Sequence, residues 1–235
     1  MIVTIHQPEH MPWSGFFHKM AIADLYVLLD HVQYKKDNFQ NRNRLIDQRG
    51  EVFWCTVPLR TGSYQEAILE KRINIAAWRR KYLNKLAESY RATPYFINYY
   101  EAFSEIINRN HDLLIDLNLD LIILFREILN IKTPIIRSSS LVVEGVKSDL
   151  NLNICRQLSA SEYLSGPSGK DYLDQQSFVD AGVNIIFHQF SAPTYQARHF
   201  HAGMSMLDVL MNCGPNSRAV IGLEAVMASG LCEHD

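Results

Sequence analysis

The chain has 235 residues, 47% of them hydrophobic and 20% charged, and its formal net charge is −2. This near-neutral balance argues against a long nucleic acid or an anionic membrane as the partner. At this length the chain can bury a sizeable core without disulfides or metals, and one α/β domain can hold all of it.

Nothing in the sequence predicts export or a membrane span. The N-terminus lacks the basic and apolar regions of a signal peptide, and the apolar run at 121–125 is far too short to cross a bilayer. The expected location is cytoplasmic. The cysteines lie too far apart for a zinc site or a CxxC pair, so we expect reduced thiols at Cys55, Cys155, Cys213 and Cys232.

The first thirty residues predict a strand, a loop, a short helix and a second strand. The β-branched segment 2–5 and the apolar segment 25–29 are typical of buried strands. Ser14 is expected to cap the helix between them. Such a βαβ unit has parallel strands and binds ligands at their carboxyl ends. The loop 6–13 is therefore expected to form the functional pocket.

The remainder of the chain predicts further strands around a helical middle. Strands are expected at 53–57, 72–75, 134–136, 142–143, 161–165 and 183–188. Amphipathic patterns predict helices at 78–90, 99–107, 113–129, 148–158, 175–181, 204–211 and 217–228. We expect residues 1–235 to form a single α/β domain with a mainly parallel sheet. Within it, 76–130 could form a helical insertion.

The loop after the first strand carries two histidines and a carboxylate. His6, Glu9 and His10 are residue types suited to acid–base chemistry. The alternative is structural, with His6 capping the strand and Trp13 in the core. No third ligand lies at useful spacing, so no metal site is expected. We assign acid–base chemistry or a phosphate contact to His6, and we expect substrate contacts from Gln7 and Trp13.

The segment 34–49 is polar and basic. Its basic residues are interleaved with amide side chains, in a set formed by Lys35, Lys36, Asn38, Asn41, Arg42, Asn43 and Arg44. Arginine makes bidentate contacts to phosphate, and asparagine can orient a sugar or a base edge. The alternative is a solvated charged loop. The pattern predicts that Asn41, Arg42 and Asn43 bind a phosphate-bearing substrate.

Two later segments are further candidates. After the strand at 161–165, a loop of small residues could bind an anion through Ser165 and Gly166, although its spacing is not that of a Walker A loop. Tyr195 and Gln196 could contact a sugar or a base. Asp208 could orient a histidine or hold Mg²⁺, or it could simply favour a helix N-terminus. We expect the four segments 6–13, 40–43, 165–169 and 195–196 to line one cavity.

Several short motifs of the chain resemble those of the WbqC-like family, in order and over nearly the whole length. They lie at 5–8, 12–17 with Lys19, 39–43, Trp54, Pro58, 117–118, 163–166, 195–196 and 207–212. The family usually has an aromatic residue where this chain has His10, which weakens a catalytic role for His10. On the matching positions, Lys19 and Asp208 join His6 as expected catalytic residues.

The resemblance implies a role in O-antigen or related surface-polysaccharide biosynthesis. It suggests a transferase or ligase whose small-molecule substrate is a phosphorylated or nucleotide-linked sugar. No cofactor is indicated, and the oligomeric state stays open. The alternative is a non-catalytic scaffold or partner protein of a glycosyltransferase complex, which should expose an apolar patch and lack a polar pocket.

A more distant likeness is to HIGH-type nucleotidyltransferases and their ligase relatives. The chain and these enzymes have the same order of first strand, histidine-bearing loop, helix and second strand. In addition, the segment 136–139 resembles one of the later motifs of these enzymes. His6, His10 and His18 do not form an HxGH sequence. This likeness would imply adenylate-forming amide synthesis on an amino sugar.

Overall fold

The chain alternates strands and helices, and a computed structural model describes residues 1–74 and 77–224. The strands are β1 (Ile2–His6), β2 (Leu25–Leu28), β3 (Arg42–Ile46), β4 (Val52–Thr56), β5 (Ile135–Arg137), β6 (Glu162–Ser165) and β7 (Asn184–Phe187). The helices are α1 (Ser14–Ala21), α2 (Trp78–Tyr90), α3 (Phe96–Asn108), α4 (Leu114–Ile128), α5 (Lys147–Gln157), α6 (Gln175–Asp180), α7 (Met206–Cys213) and α8 (Ser217–Val220).

A five-stranded sheet has the order β5-β2-β1-β6-β7, and its neighbouring strands are parallel. The chain first builds outward from β1 through β2 to β5, and then crosses to the other side of β1 to form β6 and β7. The strand order therefore reverses between β1 and β6, which is where doubly wound sheets bind ligands. The predicted single α/β domain with its βαβ start is confirmed. β3 and β4 form a separate antiparallel hairpin.

The sheet separates two apolar clusters, because side chains alternate along each strand. On β2, Tyr26 and Leu28 face the cluster formed with α1, the helical middle and α7, whereas Val27 faces the cluster formed with α5 and α6. Val3 and Ile5 of β1 lie in that second cluster. The sheet is thus covered by helices on both faces, as a parallel sheet requires.

The helical middle consists of α2, α3 and α4, between β4 and β5. Leu86, Phe103 and Phe125, one from each helix, are fully buried in the same cluster as Phe17 of α1 and Leu210 of α7. The three helices therefore pack against the sheet-bearing part of the chain.

Three local predictions were wrong. Ser14 is the first residue of α1 and not its cap; Trp13 occupies the cap position in extended backbone and makes no side-chain cap bond. The segment 142–143 is not a strand, since it has no partner strand and Val142 is 93% exposed. Arg72 and Ile73 form only isolated bridges. The strand predicted at 72–75 and the helix predicted at 217–228 both end at positions that lie outside the described residues.

The sequence analysis missed β3, although its first residues carry a strand pattern. Arg42 and Arg44 are partly exposed, while Asn43 and Leu45 are buried. The polar Asn43 at an inward position conceals the usual alternation of apolar and polar residues.

In the described part of the chain, no helix is both long and apolar enough to span a membrane.

The loop after β1 is fixed from below by His10. Its Nδ1 donates to Asn118 Oδ1 at 2.9 Å, and its Nε2 accepts from the Tyr82 hydroxyl at 2.6 Å. The Asn118 amide nitrogen also donates to the Gln40 carbonyl at 2.7 Å. All these groups are buried, and burial lowers the pKa of His10 to about 4. His10 is thus a neutral structural residue that ties the loop to α2 and α4.

The same loop is fixed from its side by Asn43. Met11 has a φ of +45°, a left-handed conformation that a non-glycine residue rarely adopts. Its carbonyl accepts from Asn43 Nδ2 at 2.6 Å and from Ser205 Oγ at 2.7 Å. Asn43 Nδ2 also reaches the His10 carbonyl at 3.1 Å. These bonds hold the strained residue in place.

We expect Asn118→Ala to lower the free energy of unfolding by roughly 2–5 kcal/mol. It leaves two buried groups, His10 Nδ1–H and the Gln40 carbonyl, without partners, and each costs about 1–3 kcal/mol. Denaturant unfolding measures the change. Asn108→Ala, an exposed substitution at the end of α3, is the control and should change stability little. Equal stabilities of the two variants would contradict this role for Asn118.

Candidate active site

A cavity of about 900 Å³ lies at the carboxyl ends of β1, β2 and β6, beside the point where the strand order reverses. Its walls come from the loop after β1, the segment after β2, the start of α5 and the loop after β6. The polar and charged lining residues are His6, Gln7, Glu9, Lys19, His31, Gln33, Lys35, Asn38, Gln40, Lys147, Asn151, Tyr163, Ser165, Ser168 and Tyr172.

His6, the last residue of β1, presents a bare ring nitrogen to this cavity. Its Nδ1 donates to the Gln7 carbonyl at 2.9 Å, so in the neutral ring Nε2 carries no proton. Burial, together with the charge of Lys19, lowers the pKa of His6 to about 3. The ring is therefore neutral at pH 7, and Nε2 can accept a proton or a hydrogen bond. The His6 imidazole ring lies edge-on to the Phe16 ring, with the ring centroids 5.0 Å apart.

Glu9 lies next to His6, and one of its oxygens has no hydrogen-bond partner. Oε1 is 4.0 Å from His6 Nε2, too far for a hydrogen bond, and Oε2 is buried and unpaired. Burial raises the pKa of Glu9 to about 7, although the charge of Lys19 acts in the opposite direction. The carboxyl group therefore exchanges its proton near neutral pH.

Lys19 reaches the same end of the cavity from α1. The residue is only 3% exposed, and its Nζ donates to the Ile5 carbonyl at 3.3 Å. Burial lowers the pKa of Lys19 to about 7, and the charge of Glu9 partly offsets this. Two groups of opposite charge type thus titrate close to neutrality in one place, a feature that is typical of active sites.

A pair of histidines stands behind Lys19. His18 Nδ1 and His188 Nε2 are 2.9 Å apart and share one hydrogen bond. Burial lowers the pKa of both rings, that of His188 to about 4, where the neighbouring His18 and Lys19 add to the effect. The pair is thus neutral at pH 7. In the described part of the chain, no group of three His, Cys, Asp or Glu side chains is placed to hold a metal ion.

The opposite walls of the cavity offer groups suited to an anion. Lys35 lies after β2, and Lys147 begins α5, where free backbone amides point outward. The loop 165–169 follows β6 and turns into a short 3-10 helix. A Cβ at Gly169 would lie 2.1 Å from Ser165 Oγ, so the loop closes tightly there, whereas one at Gly166 would meet nothing within 4 Å.

Glutamines connect the loop after β1 to the segment after β2. Gln40 is 1% exposed, and its Nε2 donates to Gln7 Oε1 at 2.8 Å. Gln40 Oε1 accepts from the backbone amide of Lys35 at 2.9 Å. This bridge holds Gln7 and Lys35, both lining residues, in fixed relation across the cavity mouth.

Residues 41–43 lie beside the cavity and not on its lining. Asn41 accepts from the Tyr34 hydroxyl at 2.9 Å and donates to the Val57 carbonyl at 2.9 Å. The Arg42 guanidinium pairs with Asp37 at 3.1 Å and lies over the Trp54 ring, 4.2 Å from its centroid. The Asn41 and Asn43 side chains are thus engaged within the protein. The Arg42 guanidinium is engaged through its terminal nitrogens, whereas its Nε is buried without a partner.

Tyr195, Gln196 and Asp208 are also absent from the lining of the large cavity. The Tyr195 hydroxyl donates to Asp208 Oδ2 at 2.5 Å, and burial raises the pKa of Asp208. Asp208 instead borders a separate cavity of about 50 Å³. His199 and His201 each contact a backbone carbonyl of the β3–β4 turn at 3.1 Å.

Trp13 has a packing role in the structure. Its ring covers Gly15 so closely that a Cβ on Gly15 would lie 2.2 Å from the ring, and the ring packs edge-on against Phe190, with the centroids 5.5 Å apart.

The cysteines of the described residues are free thiols. Burial raises the pKa of Cys55 and of Cys155 to about 12, which suits neither to be a nucleophile. Cys232 lies outside the described residues.

The segment 136–139, which resembles a nucleotidyltransferase motif, is fully engaged with Asp30. Arg137 Nε donates to the buried Asp30 carboxylate at 2.6 Å, and the Ser139 backbone amide donates at 2.9 Å. The hydroxyls of Ser138 and Ser139 bond to the same carboxylate. The arrangement joins the ends of β2 and β5.

The sequence analysis assigned no role to Lys147. It suspected Lys35 of binding phosphate as part of the basic segment and placed Gln40 in a cavity-lining segment, and it named Glu9, but it placed none of these three among the site residues. Glu9 and Gln40 each lie in a segment that was singled out, so a wider choice within those segments would have included them. Lys147 had a weaker signal: it follows Gly145 and precedes a predicted helix, which is where a helix N-terminus meets a ligand in α/β proteins.

Fold and cavity together define a doubly wound α/β protein with a charged cavity at its switch point. The profile of the WbqC-like protein family matches residues 7–220, and the chain belongs to this family. It is similar to the uncharacterized protein Rv1507c of Mycobacterium tuberculosis (strain ATCC 25618 / H37Rv), with 29% identity over 217 residues, 90% of this chain and 94% of the relative. No solved structure matches the chain.

We expect Glu9→Gln to raise the free energy of unfolding at pH 8 by roughly 1–3 kcal/mol. The pKa of the Glu9 carboxyl is about 7 in the folded chain and about 4.5 ordinarily, so its ionisation in that window costs folding free energy. The gain should shrink as pH falls through the window and vanish below about 4.5, where both states are protonated. Thermal or denaturant unfolding between pH 4 and 8 measures it.

Glu144→Gln is the matched control, since Glu144 is an exposed carboxylate close to the start of α5. Its effect on stability should be small and independent of pH. A pH-independent effect of Glu9→Gln as well would show that the Glu9 carboxyl titrates like an exposed one.

Proposed function

We propose that this protein is a transferase or amide-forming ligase that acts on a phosphorylated or nucleotide-linked sugar, in the biosynthesis of O-antigen or a related surface polysaccharide. The observation that carries the proposal is the charge of the cavity. Among its described lining residues are three lysines, Lys19, Lys35 and Lys147, and a single carboxylate, Glu9.

The position and size of the cavity support a ligand of this kind. It lies at the carboxyl ends of parallel strands, at the reversal of strand order where α/β sheets bind nucleotides and phosphates. Its volume of about 900 Å³ is near the upper end of ordinary ligand sites, which span roughly 300–1,000 Å³. A sugar with one or two phosphates needs a site of this order.

The residues at the two ends of the cavity suggest two different roles, phosphate binding at one end and the reaction at the other. Lys35, Lys147 and the backbone amides of the loop 165–169 would bind phosphate. His6, Glu9 and Lys19 would serve the reacting group, because two of them change charge near pH 7 and the third has a bare acceptor nitrogen. Phosphate binding thus falls to other residues than Arg42, whose guanidinium is held by Asp37 and Trp54.

A scaffold would be expected to show an apolar patch and to lack converging polar groups. The most exposed large apolar side chains belong to four separate parts of the chain: the segment before α2, α3, the segment before α5 and α6. They are Tyr64, Ile97, Val142, Val146 and Val179. The polar side chains of the loop after β1, the segment after β2, the start of α5 and the loop after β6, in contrast, meet in one cavity. This contrast favours an enzyme over a scaffold.

We expect Lys35→Ala and Lys147→Ala each to weaken the binding of inorganic pyrophosphate by roughly tenfold. Each removes one charge-assisted contact worth about 1.5 kcal/mol. Titration calorimetry at low ionic strength measures the affinity, which should fall with added salt. Lys36→Ala is the control, since Lys36 is exposed like its neighbour Lys35 but does not line the cavity. Equal affinities of all three variants would refute the anion site.

A further inference from the structure

The reactive end of the cavity contains two neighbouring side chains, Glu9 and His6, each with an acceptor atom that no protein donor satisfies. Glu9 Oε2 is buried without a partner, and His6 Nε2 is a bare lone pair because Nδ1 holds the ring proton. Glu9 and His6 are 4.0 Å apart at their nearest polar atoms, so neither satisfies the other. A buried acceptor without a donor is costly, so Glu9 Oε2 on a cavity-lining residue indicates a ligand that supplies the donor. The His6 side chain is 28% exposed, so its Nε2 is accessible to the same ligand.

Lys19, which lines the same cavity, does not satisfy these acceptors. Its Nζ donates to the Ile5 carbonyl, and no nitrogen–oxygen contact within 4.0 Å joins it to Glu9. A space therefore remains that is bordered by a carboxylate oxygen, an imidazole nitrogen and an ammonium group. The ligand group that enters it must offer at least two hydrogens to the first two.

Donor count distinguishes the chemical groups that a sugar can offer. A hydroxyl has one hydrogen and can satisfy only one of the two acceptors, whereas a primary ammonium has three. A carboxylate or phosphate offers no hydrogen when ionised and would be repelled by Glu9. The ammonium also supplies a positive charge to the buried carboxylate, and Lys19, whose pKa burial lowers to about 7, can be neutral when the ammonium binds.

We propose that Glu9 and His6 bind a primary amino group of the substrate, so that the sugar taken by this site is an amino sugar. The inference rests on the proposed function, which supplies the phosphorylated or nucleotide-linked sugar, and it adds the group that reacts. Glu9 is then a catalytic residue, because it touches the reacting nitrogen.

The same contact activates the amine. The bound ammonium transfers one proton to the Glu9 carboxylate: the N–H bond breaks, its electron pair stays on nitrogen, and an O–H bond forms on Oε2. The nitrogen becomes a neutral nucleophile with a free lone pair. A carboxyl whose pKa is about 7 is ionised often enough to accept this proton and basic enough to keep it.

The test compares sugar phosphates that differ only in an amino or a hydroxyl group. Glucosamine 6-phosphate is paired with glucose 6-phosphate, and glucosamine 1-phosphate with glucose 1-phosphate, by calorimetry at pH 7.5. In the wild-type protein, at least one amino sugar should bind roughly tenfold to 150-fold more tightly than its partner, as for one charge-assisted contact. Glu9→Gln should abolish the preference, His6→Gln should reduce it, and Glu144→Gln should leave it unchanged.

The outcomes separate this inference from the proposed function. Equal, Lys147-dependent binding of amino and hydroxyl sugars would overturn the amine site and leave the phosphorylated-sugar proposal standing. An amine preference that survives Glu9→Gln in a folded protein would place the amine elsewhere and overturn it too. If neither pyrophosphate nor any of the sugar phosphates binds, both proposals fall.

Discussion

The cavity depends on one constraint, the fixed conformation of the loop between β1 and α1. His10 is bonded to Asn118 and Tyr82 below it, and Met11 is held in a left-handed conformation by Asn43 and Ser205. The cost of that conformation is of order 1–3 kcal/mol and is tolerated only where several bonds enforce it. Because the loop is held by its far end, Glu9 can line the cavity although its Oε2 has no hydrogen-bond partner.

The fixed loop also affects the ionisable groups of the cavity. Glu9 and Lys19 would lower their energy by moving into direct contact, yet their atoms stay more than 4.0 Å apart. Each therefore keeps an unfavourable burial, and their pKa values approach 7 from opposite sides. Sites that perform proton transfer accept such a cost in stability, since a relaxed ion pair would titrate far from neutrality.

Much of the fold could be predicted from the sequence, because long periodic segments determine their own structure. The helix predicted at 78–90 was found as α2 with those bounds, and the βαβ start follows from two short apolar segments. Elements defined by their partners could not be predicted: β3 exists because β4 pairs with it, and 142–143 has no such partner. The loops after β1 and β6 could be placed together, because parallel neighbouring strands end at one edge. The position of Tyr195 depends on tertiary contacts of an irregular segment, which no local pattern encodes.

The motifs that link this chain to the WbqC-like family fall into two physical classes. His6, Gln7, Lys19 and Ser165 line the cavity, whereas Asn43, Asn118 and Trp13 hold the elements around it. Polar residues in the second class resemble site residues in sequence, because a buried asparagine that satisfies backbone groups is as polar as one that binds a sugar. The hydrogen-bond inventory separates them: the Asn43 amide is fully used by the protein, and the Glu9 carboxylate is not. A buried, unsatisfied oxygen on a cavity-lining residue therefore marks Glu9 as a candidate site residue, although Glu9 lies outside those motifs.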